Sequence, residues 1–136
     1  MKHEKGVSLI EVLVTLLITS VGLLGLAALQ ARSLQFNHGA YLRSQANILA
    51  YDMADRMRLN KDDARANLYN ISLSTSTPSA SNIVTTDQNQ WLTLIATTLP
   101  AGDGAVSCAS SICTLTIQWR EAGRSADDSF TYKTQI

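Results

Sequence analysis

Residues 5–31 read KGVSLIEVLVTLLITSVGLLGLAALQA. Residues 12–31 hold no charged side chain over twenty positions. At ~1.5 Å rise per residue that length matches a hydrocarbon core of ~30 Å. One carboxylate, Glu11, interrupts the apolar run just after it begins. A carboxylate within a membrane span costs roughly 2.5–3.5 kcal/mol on insertion scales, so its presence needs a reason. The cationic residues Lys2 and Lys5 precede the run, which orients the N-terminus to the cytoplasm and exports the remainder. A cleaved secretory signal fits poorly: its apolar core spans ~7–15 residues, and LAALQA is a weak cleavage site. A plain signal anchor fits the length but leaves Glu11 unexplained.

The flanking sequence bounds the rest. The chain has 136 residues, enough for one modest domain plus an anchor. Eleven basic and eleven acidic residues cancel, so no bulk charge draws it to nucleic acid or an anionic surface. Two histidines and two cysteines are too few for most metal sites and most histidine-based acid–base pairs. No Gly-rich phosphate loop, Ser/His/Asp set or metal-spaced carboxylate cluster occurs. The expectation is a non-enzyme without cofactor or metal. Lys and Arg do not interleave with aromatics, so no nucleic-acid groove is indicated. His38, on the long helix, reads as a surface residue.

The basic leader ending in Gly6, the apolar residues after it, Glu11 and the long apolar run resemble the type IV prepilin leader and its helix. In that family a membrane peptidase cuts after the glycine and N-methylates the new first residue. The resemblance implies a cut between Gly6 and Val7, methylation of Val7, and Glu11 as the fifth residue of the mature chain. The family's usual first residue is Phe, where this chain has Val7. Glu11 is then expected to face the free N-terminal amine of a neighbouring subunit, which recovers much of the cost of a carboxylate in lipid and sets assembly register. The bland alternative places Glu11 near the interface, snorkelling to water. Gly22 and Gly25, with Thr15, Thr19 and Ser20, allow close helix approach and predict a local bend or partial melting.

Beyond residue 34 the pattern changes. Leu42, Ala46, Leu49, Met53 and Met57 form one stripe at helical spacing. Arg43, Gln45, Asn47, Asp52, Asp55, Arg56 and Arg58 fill the other face. No proline interrupts residues 7–60, so one helix of about fifty residues is predicted, apolar all round at first and then amphipathic. Asp52 with Arg56, and Asp55 with Arg58, have the spacing of local ion pairs. The stretch ILAYDMADRMRLN, residues 48–60, resembles the corresponding segment of the PilV family of minor pilins.

Residues 67–82 form a Ser/Thr-rich loop containing Pro78. Asn70-Ile71-Ser72 matches a glycosylation sequon, discounted for a bacterial leader. Thr86 or Asp87 is expected to cap a short helix with Trp91, Leu92, Ile95 and Leu99 on one face, ended by Pro100 and Gly102. Residues 105–121 read as a turn leading into a strand with Cys113, Leu115, Ile117 and Trp119 facing inward. Residues 129–136 alternate Phe130, Tyr132, Thr134 and Ile136 against polar residues and complete an antiparallel hairpin over the long helix. In an exported domain, Cys108 and Cys113 on a tight loop most simply form a disulfide, with a redox or metal pair as the competing reading. Pilins commonly carry a disulfide in this region, which agrees.

The resulting expectation is an α+β pilin fold: a long N-terminal helix packed on a small antiparallel sheet. Residues 1–6 are the leader, 7–29 the transmembrane and assembly segment, and 30–136 the periplasmic domain. The resemblance implies a minor pilin that primes type IV pilus assembly in the inner membrane and ends at the tip of a pilus of the kind used in twitching motility. Its expected partners are other minor pilins, the major pilin, the prepilin peptidase and the inner-membrane assembly platform. The alternatives are a type II secretion minor pseudopilin, or a tip adhesin or DNA-uptake pilin.

Overall fold

The computed structural model describes residue 6, residues 8–109 and residues 111–136. Residues 1–5 of the leader, and Val7 with its cleavage and methylation, lie outside the described residues. The chain divides into two compact units, Met1–His38 and Gly39–Ile136.

Helix α1 runs from Leu9 to Leu59, 51 residues. In the first unit every described residue from 9 to 38 is exposed. α-Helical geometry continues through Gly22 and Gly25, so the partial melting expected there is absent. A glycine costs about 1 kcal/mol in a helix, too little to break one this long and this rich in Leu and Ala. The hydroxyls of Thr15, Thr19 and Ser20 donate to the carbonyls of Val12, Thr15 and Leu16 at 2.9, 2.6 and 2.7 Å. Each polar group is thereby satisfied within the helix, the arrangement an apolar medium demands.

In the second unit, the predicted stripe of α1 is buried: Leu42, Ala46, Leu49, Met53 and Met57, joined by Ala50 and Ala54. A short helix α2, Lys61–Arg65, follows, and the chain reverses at Asn67 with φ 63°. Asparagine is one of the few residues that tolerate this left-handed conformation. Helix α3, Ile83–Thr98, is capped by Asn82, not by Thr86 or Asp87. The Asn82 side chain accepts from the Thr85 N–H, and Thr85 Oγ1 accepts from the Asn82 N–H. This reciprocal box begins the helix one turn earlier than expected and moves Asp87 into its buried face. Trp91, Leu92, Ile95 and Leu99 are buried as predicted.

The sheet has three antiparallel strands in the order β1, β2, β3: Asp103–Ala109, Ile112–Trp119 and Asp128–Gln135. The last two form the predicted hairpin. The first replaces the expected turn. Its burial alternates, with Gly104, Val106 and Cys108 inward. Their small size hid the strand's period, because glycine has no side chain to mark a face. That small size has a use. A Cβ on Gly104 would lie 2.7 Å from Ile95 Cδ1 and from the Trp91 ring, so glycine lets α3 seat directly on β1.

The core of the second unit joins the α1 stripe, the buried face of α3 and the inward face of the sheet. Trp91 is fully buried and its Nε1 donates to the Leu49 carbonyl of α1 at 2.8 Å. The Tyr51 and Tyr132 rings meet at 4.6 Å and hold β3 along α1.

Candidate functional site

The functional candidate is the start of α1. Ser8 immediately precedes the helix, and its carbonyl accepts from the N–H groups of Glu11 at 3.0 Å and Val12 at 3.3 Å. Glu11 stands in the first turn, exposed. Ser8 and Glu11 have the S-x-x-E spacing of a helix start, and a carboxylate there opposes the positive end of the helix dipole. Any favourable effect of Glu11 on the helix start is that of its charge alone, since among the described residues its side chain makes no hydrogen bond or ion pair. The spacing was readable in the sequence.

Around Glu11 the surface is almost wholly apolar. Leu9, Ile10, Leu13, Leu16 and Leu17 are each more than 60% exposed. The helix contains a stretch long and apolar enough to cross a membrane, none of it buried within the chain. Gly22 and Gly25 have nothing within 4 Å of an added Cβ, so they leave flat ground on this surface. His38 is exposed, as predicted.

A second cluster lies in the Gly39–Ile136 unit. Arg56 donates to Asp52 at 3.0 Å, to Asp87 at 3.1 Å and to Gln90 at 2.8 Å. The Tyr69 hydroxyl donates to Asp87 at 2.7 Å and accepts from Asn60 Nδ2 at 3.3 Å. Burial, together with the hydrogen bond to Asp87, pushes the Tyr69 phenol up to about 12. Burial lowers the Arg56 pKa, but its bonds to Asp87 and Asp52 outweigh that and raise it overall. These groups tie α1, α3 and the intervening segment together; no nucleophile or general base emerges from them. The predicted pairs Asp52–Arg56 and Asp55–Arg58 both form, but the long-range partners Asp87 and Tyr69 were missed. Their signal was position: Val84, Asp87, Gln88, Trp91, Leu92 and Ile95 make one helical stripe, so a polar residue on it must have a buried partner.

The structure joins Cys108 to Cys113, and neither is free. They sit opposite each other on β1 and β2, two residues before and after the ends of a tight hairpin turn, rather than on an irregular loop. Among the described residues no group of His, Cys, Asp and Glu could hold a metal. Asn70, the sequon residue, uses its amide on the backbone of Cys108.

Residues 1–27 match the model of the prokaryotic N-terminal methylation motif. No curated protein and no solved structure matches. The matched segment includes Gly6, Val7, Ser8 and Glu11 and runs through both glycines of the apolar helix. The chain therefore carries a prepilin-type N-terminus, and its long apolar helix with a three-stranded antiparallel sheet fits the α+β pilin fold.

Proposed function

We propose that this chain is a minor pilin of the PilV type, processed between Gly6 and Val7, methylated at Val7 and incorporated into a type IV pilus at its tip. The observation that carries this reading is the first unit of α1. A fully exposed apolar helix follows a methylation motif, with one carboxylate in its first turn and every described hydroxyl of its span satisfied internally. Such a surface is stable in lipid or against other apolar helices, and not in water. Glu11 resists isolation in lipid, so an amine from a neighbouring subunit draws the helices together in register. Other minor pilins, the major pilin and the inner-membrane assembly platform are the partners this mechanism requires. The work is structural, with no catalytic step. The resemblance of residues 48–60 to the PilV segment supports the finer assignment: its methionines lie in the core and its charges form ion pairs on the helix surface.

The test is Glu11→Ala in the host. Leader processing should persist while recovery of the chain in sheared pili falls at least tenfold. Unchanged incorporation would refute the role given to Glu11. The same motif serves type II secretion pseudopilins. Deletion of this chain separates the two: loss of surface pili supports the pilus, and loss of protein secretion with pili intact supports the pseudopilin.

A further inference from the structure

Tyr51 of α1 and Tyr132 of β3 stand ring against ring, with centroids 4.6 Å apart and planes 47° from one another. That distance is at the short end of the range for aromatic pairs, so facing ring carbons are in contact. Tyr51 is 46% exposed and Tyr132 is half-buried, so a reagent in solution reaches the pair from outside.

The surroundings favour oxidation of these phenols. Thr134, and after it Arg58, stand beside the Tyr132 hydroxyl and hold its pKa below the ordinary tyrosine value. The Tyr51 hydroxyl acts in the same direction, so the two phenol oxygens lie on the same side of the pair. A phenol closer to ionisation gives up an electron more readily. Arg58 is itself held by Asp55 at 2.7 Å and donates to Thr134 at 2.9 Å, which keeps it next to the pair.

Competing sinks for an oxidant are shut away. Met53, Met57, Trp91 and Tyr69 are fully buried, and Trp119 is 3% exposed. Cys108 and Cys113 are already joined to each other. Tyr41 is exposed, but it lies about three turns before Tyr51 on the same helix, ~15 Å along the axis and too far to couple with it.

We propose that Tyr51 and Tyr132 form an oxidative cross-linking site, at which a haem peroxidase using hydrogen peroxide couples the two rings into dityrosine and joins β3 covalently to α1. Each phenol gives one electron and its hydroxyl proton to the oxidant, and together these reduce one hydrogen peroxide to two waters. The two phenoxyl radicals couple through a ring carbon ortho to each oxygen, forming one C–C bond. Those carbons then lose their hydrogens as the rings regain aromaticity, and both oxygens regain a proton. The product is two hydrogens lighter than the two tyrosines, with both hydroxyls intact. The Cys108–Cys113 disulfide fits an oxidising compartment, where a peroxide meets exposed tyrosine. The reaction needs only the Gly39–Ile136 unit and is independent of the assembly the chain joins.

The test treats the full chain in detergent, at low protein concentration, with hydrogen peroxide and a haem peroxidase. Dityrosine fluorescence should appear in monomeric chain. Digestion should yield one peptide carrying Tyr51 joined to one carrying Tyr132, two hydrogens lighter than the sum of the two. Tyr51→Phe and Tyr132→Phe should each lower the monomer's fluorescence yield at least tenfold, and Tyr41→Phe should leave it within twofold. Unfolding the chain in urea before oxidation should also lower the yield at least tenfold, because the fold alone brings the two rings together. The peptide map of the wild-type chain needs no variant, so a misfolded substitution leaves the result standing. Links through Tyr41, cross-linked dimers in place of monomer, or tyrosine oxidation without a Tyr51–Tyr132 link would each overturn the site.

Discussion

Asp87→Ala should destabilise the Gly39–Ile136 unit by about 2–3 kcal/mol. Asp87 is 8% exposed and accepts from two groups. One is the hydroxyl of Tyr69, a fully buried residue. Losing its acceptor leaves a buried donor unmatched, at roughly 1–3 kcal/mol. The other is Arg56, whose side chain is 26% exposed and keeps Asp52 and Gln90, so its share is about 0–1 kcal/mol. Urea unfolding of a chain shortened to residues 30–136 reads this directly, since every buried core residue lies at or beyond Leu42 and both tryptophans report on the core. The expected drop in Tm is roughly 10–20 °C. A Tyr69→Phe background removes the stranded hydroxyl, so there Asp87→Ala should cost at least about 1 kcal/mol less. A cost below about 0.5 kcal/mol, or the same cost in both backgrounds, would refute the reasoning.

Tyr69 also makes stability depend on alkaline pH. Its folded pKa is raised from 10.0 to about 12, so the folded state holds its proton longer than the unfolded one. The contribution is complete below pH ~10 and is lost as pH rises toward ~12, about 2–3 kcal/mol in all; Tyr69→Phe should flatten that part of the stability–pH curve. Trp91→Phe should cost about 1 kcal/mol more than Trp119→Phe in the same urea assay. Trp91 Nε1 donates to Leu49, whereas Trp119 Nε1 is buried with no partner among the described residues. Replacing both Cys108 and Cys113 with Ala should cost ~2 kcal/mol, a small figure because the disulfide closes only five residues of sequence separation, and a reducing agent should reproduce the loss in wild type. Asn70→Ala should cost ~1 kcal/mol and raise concentration-dependent self-association by light scattering, because it uncovers part of the β1 edge.

The long helix was legible because its signals are redundant: absence of proline, an unbroken apolar run, then a stripe from Leu42 to Met57 that the structure buries residue for residue. The β2–β3 hairpin was legible for the same reason, with Leu115, Ile117 and Trp119 at strict period two. Strand β1 was not. Its inward positions are Gly104, Val106 and Cys108, and packing of α3 against a glycine leaves no periodic trace in the sequence. The cap at Asn82 was hidden in a tract where Ser, Thr and Asn recur, so its pairing with Thr85 could not be told from its neighbours. That one-turn error also disguised Asp87, which looked like a cap and is a buried acceptor. At the N-terminus the methylation motif was legible, and residues 1–27 match its family model. Gly6, Val7 and Glu11 stand in the motif itself, and the structure adds that the apolar face is exposed throughout and the hydroxyls beneath it are satisfied.

Whether this chain is a processed prepilin is tested most directly by the mass of its mature N-terminus in host cells with and without the prepilin peptidase. An N-terminal peptide beginning at methylated Val7, present only with the peptidase, is the expected result. An intact Met1 in both strains, or a cut beyond Leu29, would contradict it and leave a plain anchor or a secreted domain.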